Sequence, residues 1–537
     1  SCIKKYRMNL KKFLNLINKK SLYFFYTFFF SYAVFYAFKL SITSDAGFYV
    51  SLGKSRLDYL LSLGLVKEKT NISQEAFPAI YLTFVAFISD FFSRKLEIQI
   101  FYILNFFSSS VAAVGVYKLS KLLFNKDIAL YTFIFFFFFA SFFGHMQING
   151  RDTMILFCNI WITYFSIKYL SFNYKKNKKY LIYLTVLVAI GMGVRFQFIA
   201  TLVPLFIYIF YKIKLTSKKN KIIFFKDFLK IILFSLIIIF LFWGSVHSNF
   251  ILKIQEIYKY NVEYTWGWSY NIINGNIYTA SNYPFTYIIE FLFYKSPEYI
   301  IFLYIIFFFF IIPLIKIIQK EIKQFNEKLI FILINIFYPT ILLLFVKIHV
   351  YDGIRLFLFL IPYFLIIPSI VFYYLTTNLS KNLNKLFLTT FSILFFYYMY
   401  SFFVLTPYQY IYVNSFAGKF SSLNDKFEND YWGISLKELT GKIKSNVEIN
   451  KKDQVRFLVC GLSQAAVKIN LNNLKNKINY KIVRPEENPD YVILNNRTLK
   501  SLKKNVVHTC FKEYTGKNII EVKRRNLVIS AIKEINQ

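Results

Sequence analysis

Up to about residue 406 the chain alternates long apolar runs with short polar breaks, and beyond it brief apolar stretches are separated by charge. A helix needs roughly 20 apolar residues to cross the hydrocarbon core of a bilayer. Runs that reach or approach this length are 21–42, 98–122, 128–144, 153–171, 180–211, 229–248, 298–315, 329–346, 353–375 and 384–405. The first is longer than the apolar part of a signal peptide and has no small-residue cleavage site. It therefore reads as an uncleaved first helix.

The polar breaks orient these runs, because cytoplasmic loops carry the excess of Lys and Arg. Residues 1–20 hold seven such cations, 118–126 three, 172–179 four, 212–230 seven, 316–328 four and 376–385 two. Placing all of them on one side settles two ambiguous segments. AFPAIYLTFVAFISDFF (76–92) cannot be a full span, since spanning would put every later basic loop on the wrong side; it reads as an interfacial or re-entrant helix at the outer face. Segment 180–211 is basic at both flanks, so it becomes a hairpin of two short helices bent at Gly191, Gly193 and Arg195. The count is then about eleven spans, with the N-terminus cytoplasmic and the C-terminus outside.

The tail differs in kind. VRFLVC (455–460), YKIV (480–483), DYVIL (490–494) and LVIS (527–530) have the length of strands, with a helical pattern, SQAAVKINLNNLKN, between the first two. The pattern predicts a small α/β domain. The expected architecture is an all-α polytopic membrane domain over 1–406 and an extracytoplasmic α/β domain over 407–537.

Composition narrows the class. Hydrophobic residues make up 56% of the 537, and the mean hydropathy is +0.44. That is too apolar for a soluble globular chain or a disordered one. The formal charge of +37 would suggest a nucleic-acid partner in a soluble protein. Here the cations sit between spans as topology determinants, so the expected partner is the bilayer and no nucleic acid. The four cysteines are too few for a disulfide scaffold. Cys158 falls in an apolar run, while Cys460 and Cys510 lie in the tail and could pair if that region is outside the cell. The four histidines show no metal-ligand spacing.

With the topology set, ionisable residues gather at the outer ends of the spans, where they are costly unless solvated, paired or functional. Asp45 directly follows the first span in SITSDAGFYVSLGK, close to Tyr49. Arg151 and Asp152 precede a span in GHMQINGRDTMILF. Arg195 sits at the hairpin tip, and Lys295 ends FYK before Ser-Pro. KIHVYDGIRLFLF carries Lys347, His349, Tyr351, Asp352 and Arg355, and the long outer loop carries Trp266 and Trp268. Each has a plainer reading: Asp152 fits a helix N-cap, the arginines fit interfacial snorkelling, and the tryptophans fit an aromatic belt. The coincidence of two carboxylates and several cations on one face favours a site.

These segments carry a resemblance. An Asp just after the first span, followed by a second carboxylate in the next outer loop, resembles the GT-C class of membrane glycosyltransferases. GHMQINGRDTMILF is similar to the corresponding segment of family 39, which includes protein O-mannosyltransferases and lipid A aminoarabinose transferases. KSP (295–297) resembles a K-T-P segment of that family. YDGIRLFLFLIP (351–362) and PYQYIYVNSFAG…FENDYWGISLKEL (407–439) are similar to a bacterial branch that uses phospholipid-linked sugars. The resemblance implies transfer of a sugar from a polyprenyl-phosphate donor, with inversion, on the extracytoplasmic face of a bacterial inner membrane. The acceptor would be a glycolipid, a polysaccharide or a protein. By the same resemblance Asp45 would be the base and Asp152 would position the acceptor, or join Asp45 on a divalent metal (Mg or Mn); a cofactor is otherwise not implied. Arg195, Lys295, Lys347, His349 and Arg355 would hold the donor phosphate. Tyr49, Arg151, Trp266, Trp268, Tyr351 and Asp352 would line the cavity. The chain departs from the family in one respect: Ala46, not a second acid, follows Asp45, and the next acid is Asp58. The rival reading is a transporter, flippase or ligase for lipid-linked saccharides, but charges at span ends and the lack of an internal repeat speak against a transporter.

Overall fold

The computed structural model describes residues 19–43, 45–67, 75–171, 178–247, 249–262, 269–346, 348–446, 449, 452–474, 478–500 and 506–535. Every apolar run becomes helical. The first is α1 (Lys19–Lys39), followed by α2 (Ala46–Leu61) and α3 (Ile80–Ser89). At ten residues α3 is too short to span, as the charge pattern requires. The long helix α4 (Glu97–Leu123) comes next. The run 128–144 is split by an extended Phe139 into α5 (Lys126–Phe137) and α6 (Ala140–His145). Asn125 caps α5, its side chain accepting from Ile128 N at 2.8 Å.

Next come α7 (Asp152–Leu170) and α8 (Lys178–Val194). The bend at Arg195 leads through a 3-10 turn (Phe196–Leu202) into α9 (Val203–Lys214), so 180–211 is the expected hairpin. The chain continues through α10 (Lys218–Phe242) and the amphipathic α11 (Phe250–Val262). A two-stranded hairpin, β1 (Tyr270–Ile273) and β2 (Asn276–Thr279), follows. Its turn residues Asn274 and Gly275 both have positive φ, the geometry for which Asn-Gly is favoured. Then come α12 (Tyr287–Lys295), α13 (Glu298–Glu321), α14 (Phe325–Phe345), α15 (Ile361–Asn378) and α16 (Lys381–Val404).

Among the described residues seven helical segments are long and apolar enough to cross a membrane: Arg94–Leu123, Asp152–Leu170, Phe196–Lys214, Glu298–Glu321, Phe325–Phe345, Arg355–Asn378 and Lys381–Val404. The other four expected runs are occupied by α1, α5 with α6, α8 and α10. The chain is a multi-pass membrane protein. Helices α7 and α15 are the most enclosed of the spans. They are joined through buried polar groups: Tyr363 Oη donates to Asn159 Oδ1 at 2.8 Å and lies 3.0 Å from Thr163 Oγ1.

The tail forms the expected small α/β unit. After α17 (Leu436–Gly441), strands β3 (Val455–Cys460), β4 (Tyr480–Ile482), β5 (Tyr491–Asn495), β8 (Asn518–Arg524) and β9 (Leu527–Glu534) form one sheet in the order β4-β3-β5-β9-β8. Strands β3, β4 and β5 are parallel; β9 is antiparallel to both β5 and β8. Helix α18 (Gln464–Asn472) connects β3 to β4, and a short pair, β6 (Thr498–Lys500) with β7 (Val507–Thr509), lies between β5 and β8. Cys460 and Cys510 are joined as a disulfide. This unit does not stand apart: Phe427, Ile434, Leu436, Phe457, Ile493 and Ile532 are buried in the same apolar core as the helices. Arg524 of β8 also forks onto Glu438 of α17 with its Nη2 at 2.7 Å.

Candidate active site

The end of α1 is fixed by Tyr102 of α4, whose hydroxyl donates to Ser41 O at 2.8 Å and accepts from Thr43 N at 3.0 Å. This anchors the turn that presents Asp45, whose side chain is 35% exposed. One helical turn on, Tyr49 donates its hydroxyl to Asp45 Oδ2 at 3.2 Å, an i,i+4 contact along α2. Burial first, and the charge of Asp45 second, push the Tyr49 phenol well above its ordinary pKa. It therefore stays neutral and acts as a donor.

Asp152 is the first residue of α7, but it does not cap the helix. Its Oδ1 lies 3.0 Å from Nη2 of Arg195, and its Oδ2 accepts from Asn149 Nδ2 at 2.9 Å. Asn149 supplies the capping contact instead, its Oδ1 accepting from Asp152 N at 3.0 Å. Arg195 reaches this point because the hairpin tip packs tightly. A Cβ on Gly191 would lie 2.3 Å from the Phe198 ring, and one on Gly193 would lie 2.8 Å from Ile80 of α3.

Asp352 and Gly353 turn the chain with positive φ (60° and 65°) just before the 3-10 turn Arg355–Leu360. Arg355 is buried with its Nη2 3.0 Å from Asp352 Oδ2 and its Nη1 3.7 Å from Asp45 Oδ2. Its guanidinium also lies over the rings of Tyr351 (4.8 Å) and Trp432 (5.0 Å). The other oxygen of Asp352 accepts from Arg497, which lies 3.3 Å from Glu428 Oε2. Glu428 in turn accepts at Oε1 from Thr498 N (3.0 Å) and Oγ1 (2.8 Å). Burial raises the Glu428 carboxyl above its usual range, and Arg497 opposes the shift. Alternating charges thus run from the sheet to the first loop: Glu428, Arg497, Asp352, Arg355, Asp45.

These groups surround one cavity of about 510 Å³, within the range of small-molecule sites. The helical side supplies Asp45, Tyr49, Arg151, Arg195, Tyr351, Asp352 and Arg355, together with Phe48, Phe77 and Tyr260. The opposite wall comes from the tail: Tyr431 to Gly433, Leu436, Gly461 to Ser463, Ala466 and Arg497. Gly461 and Arg497 lie at the carboxyl ends of the parallel strands β3 and β5, the edge where α/β sheets hold ligands. Among the described residues no carboxylate pairs with Arg151. Its guanidinium lies over Phe77 (4.2 Å) and Tyr49 (5.4 Å) and donates to Val194 O at 3.3 Å.

The cavity brings together most, not all, of the residues singled out in the sequence. Asp152 lies behind the wall, reaching the cavity only through Arg195. Lys295, expected among the phosphate cations, is buried in a separate small hollow with His145, Glu428 and Tyr431, its ammonium donating to Tyr410 O at 3.0 Å. Burial pushes its pKa down to about 7. His349 is half-buried beside Tyr351, with ring centroids 5.9 Å apart, and does not line the cavity. Lys347, Trp266 and Trp268 lie outside the described residues. None of the tail residues of this wall is among those singled out in the sequence.

The donor set does not suit a metal shared by Asp45 and Asp152. Both Asp152 oxygens are engaged by Arg195 and Asn149, and Asp45 faces Arg355 and a tyrosine hydroxyl. A dication would sit among four arginines lining one space. Among the described residues no group of three His, Cys, Asp or Glu is placed to hold an ion.

Helices arranged around a vestibule and covered by a small sheet form a fold of GT-C type, and the comparisons with known proteins agree. Residues 78–243, from α3 to the end of α10, match the family model described as dolichyl-phosphate-mannose-protein mannosyltransferase. The fold is similar to that of ArnT from Cupriavidus metallidurans in its apo state: TM-score 0.51 and 9% identity over 96% of this chain and 98% of that one. The same protein bound to undecaprenyl phosphate gives TM-score 0.51 and 8% identity over the same shares. The chain thus resembles family 39 of the GT-C class. No curated protein matches its sequence.

Proposed function

We propose that this chain is a membrane glycosyltransferase that moves a sugar from a polyprenyl-phosphate donor to an acceptor hydroxyl in the 510 Å³ cavity. The observation that carries the reading is Asp45: a partly exposed carboxylate at the head of a vestibule otherwise rich in arginine. The acceptor hydroxyl attacks the anomeric carbon, and Asp45 takes its proton as the new bond forms. The bond from that carbon to the donor phosphate breaks on the opposite face, inverting the centre. The phosphate leaves with the electron pair, and its charge is met by Arg151 and Arg195. Arg355 and Tyr49 hold the Asp45 carboxylate in place.

This reading divides the chain into a catalytic helical part, residues 1–406, and a tail, 407–537, that closes the cavity from the extracytoplasmic side. The disulfide in the tail suits that compartment, and the basic loops suit the cytoplasmic one. The test has two arms. Cells with and without the gene are compared by mass spectrometry of surface glycolipids and glycoproteins, which names sugar and acceptor. The purified full chain is then assayed for polyprenyl phosphate released from the matching donor. The wild type releases it and Asp45→Asn, though folded, does not. Unchanged surface glycans together with no release by the wild type would refute the reading.

A further inference from the structure

We infer that Arg497, contributed by the tail, is a positioning residue for the transfer reaction, setting Arg355 against Asp45 through Asp352. The inference rests on the catalytic reading of the cavity. Asp352 offers two oxygens to two arginines: one to Arg497, the other to Arg355 Nη2 at 3.0 Å. Because Arg497 occupies the first oxygen, Arg355 pairs with Asp352 through a single contact. Its other nitrogen, Nη1, is left to face Asp45 Oδ2 at 3.7 Å. Remove Arg497, and both oxygens of Asp352 are open to Arg355, which planar guanidinium and carboxylate favour as a two-bonded fork. That fork draws Arg355 away from Asp45.

Arg497 is built for a fixed position. Its backbone N donates to Asn495 Oδ1 at 3.2 Å, and its backbone O accepts from Cys510 N at 2.9 Å, beside the disulfide. Its side chain is 7% exposed and also held by Glu428, and its guanidinium lies 5.8 Å from the Tyr431 ring. Asp352 and Arg355 are equally enclosed. Displacing one member of a run of buried charges leaves the next one unpaired, which is costly, so the tail transmits its own placement to the first outer loop.

The test replaces Arg497 with Met. Because Asp352 and Glu428 would then share an uncompensated buried charge, the decisive variant is Arg497→Met with Glu428→Gln, checked for folding by its unfolding temperature. In the polyprenyl phosphate release assay this double variant should lose tenfold or more in kcat per folded protein, with the donor KM within twofold of wild type. In an Arg355→Met background the same pair should cost less than a further twofold, because Arg497 acts through Arg355. A loss that multiplies in full with that of Arg355→Met overturns the inference while leaving the catalytic reading intact. So does a kcat unchanged by the double variant. No turnover by the wild type overturns both.

Discussion

Arg195 and Asp152 meet at 3.0 Å, so the tip of the α8–α9 hairpin is held by an ion pair to the first residue of α7. The two ends differ in exposure: the Asp152 side chain is 3% exposed and the Arg195 side chain 20%. Removing one partner of a buried pair costs about 3–5 kcal/mol when the other is left stranded. Arg195→Met strands Asp152, whereas Asp152→Asn leaves an arginine that can turn to the wet cavity. The expected order of stability in detergent is wild type, then Asp152→Asn, then Arg195→Met, with the double substitution recovering part of the loss. Thermal unfolding measures this. Equal losses from the two single substitutions would show that the pair is not the source.

Lys295 supplies a pH dependence of known sign. Burial holds its pKa near 7, well below the ordinary lysine value of 10.5. Between these values the unfolded chain binds the proton and the folded chain does not, so stability rises with pH across the window. The cost of the buried charge is fully present below pH 7. Lys295→Met removes that cost, so its advantage over wild type should be greatest near pH 6.5 and shrink steadily as the pH rises to 9.5. Unfolding temperatures of the two proteins across this range test the claim; a gap that widens with pH contradicts it.

The disulfide closes a loop of sequence separation 50 around Arg497. Chain entropy alone makes such a loop worth about 4 kcal/mol, with measured values nearer 2–4 kcal/mol. Reduction, or Cys460→Ser with Cys510→Ser, is expected to lower the stability of the tail by about that amount. The helical part, whose described residues hold no other disulfide, should change little. Limited proteolysis under reducing conditions should cut first between residues 455 and 535. Cleavage pattern and melting temperature unaffected by reductant would argue against any structural role for the bond.

The helical half of this site was legible in the sequence because the bilayer makes polar residues conspicuous. Asp45, Arg151, Arg195 and Arg355 interrupt or end apolar runs, and all four border one cavity. The 180–211 hairpin followed from its two basic flanks, and Gly191, Gly193 and Arg195 marked its bend. The sheet half was not legible. Arg497 sits in Asn-Asn-Arg-Thr after β5 and reads as a surface residue; its burial depends on Asp352 and Glu428, far away along the chain. Trp432 was visible in FENDYWG as a motif, but not as a wall of the cavity. The tail does carry one signal of this wall. If 455–460 and 490–494 are parallel strands joined through a helix, the residues just after each belong at a ligand-binding edge. Lys295 was misleading for the opposite reason: a lysine before a span looks like a phosphate cation, yet here it turns inward to Tyr410 O.

Gly461 offers a direct check on that edge. It follows β3 with φ +74°, and a Cβ there would lie 2.2 Å from Asn495 Oδ1, 2.8 Å from Arg497 Cβ and 3.1 Å from Cys510 Sγ. Asn495 cannot retreat freely, because its Nδ2 donates to Asp430 O at 2.7 Å and its Oδ1 accepts from Arg497 N. Gly461→Ala therefore pays twice: about 1–2 kcal/mol for a left-handed backbone, and a displacement passed to Arg497. Gly441, at the end of α17, is the control, since a Cβ there meets nothing within 4 Å and its φ is negative. Gly461→Ala should lose tenfold or more of polyprenyl phosphate release and a few degrees of unfolding temperature, while Gly441→Ala retains both. If the two alanine variants behave alike, the carboxyl edge of the sheet does not govern the cavity.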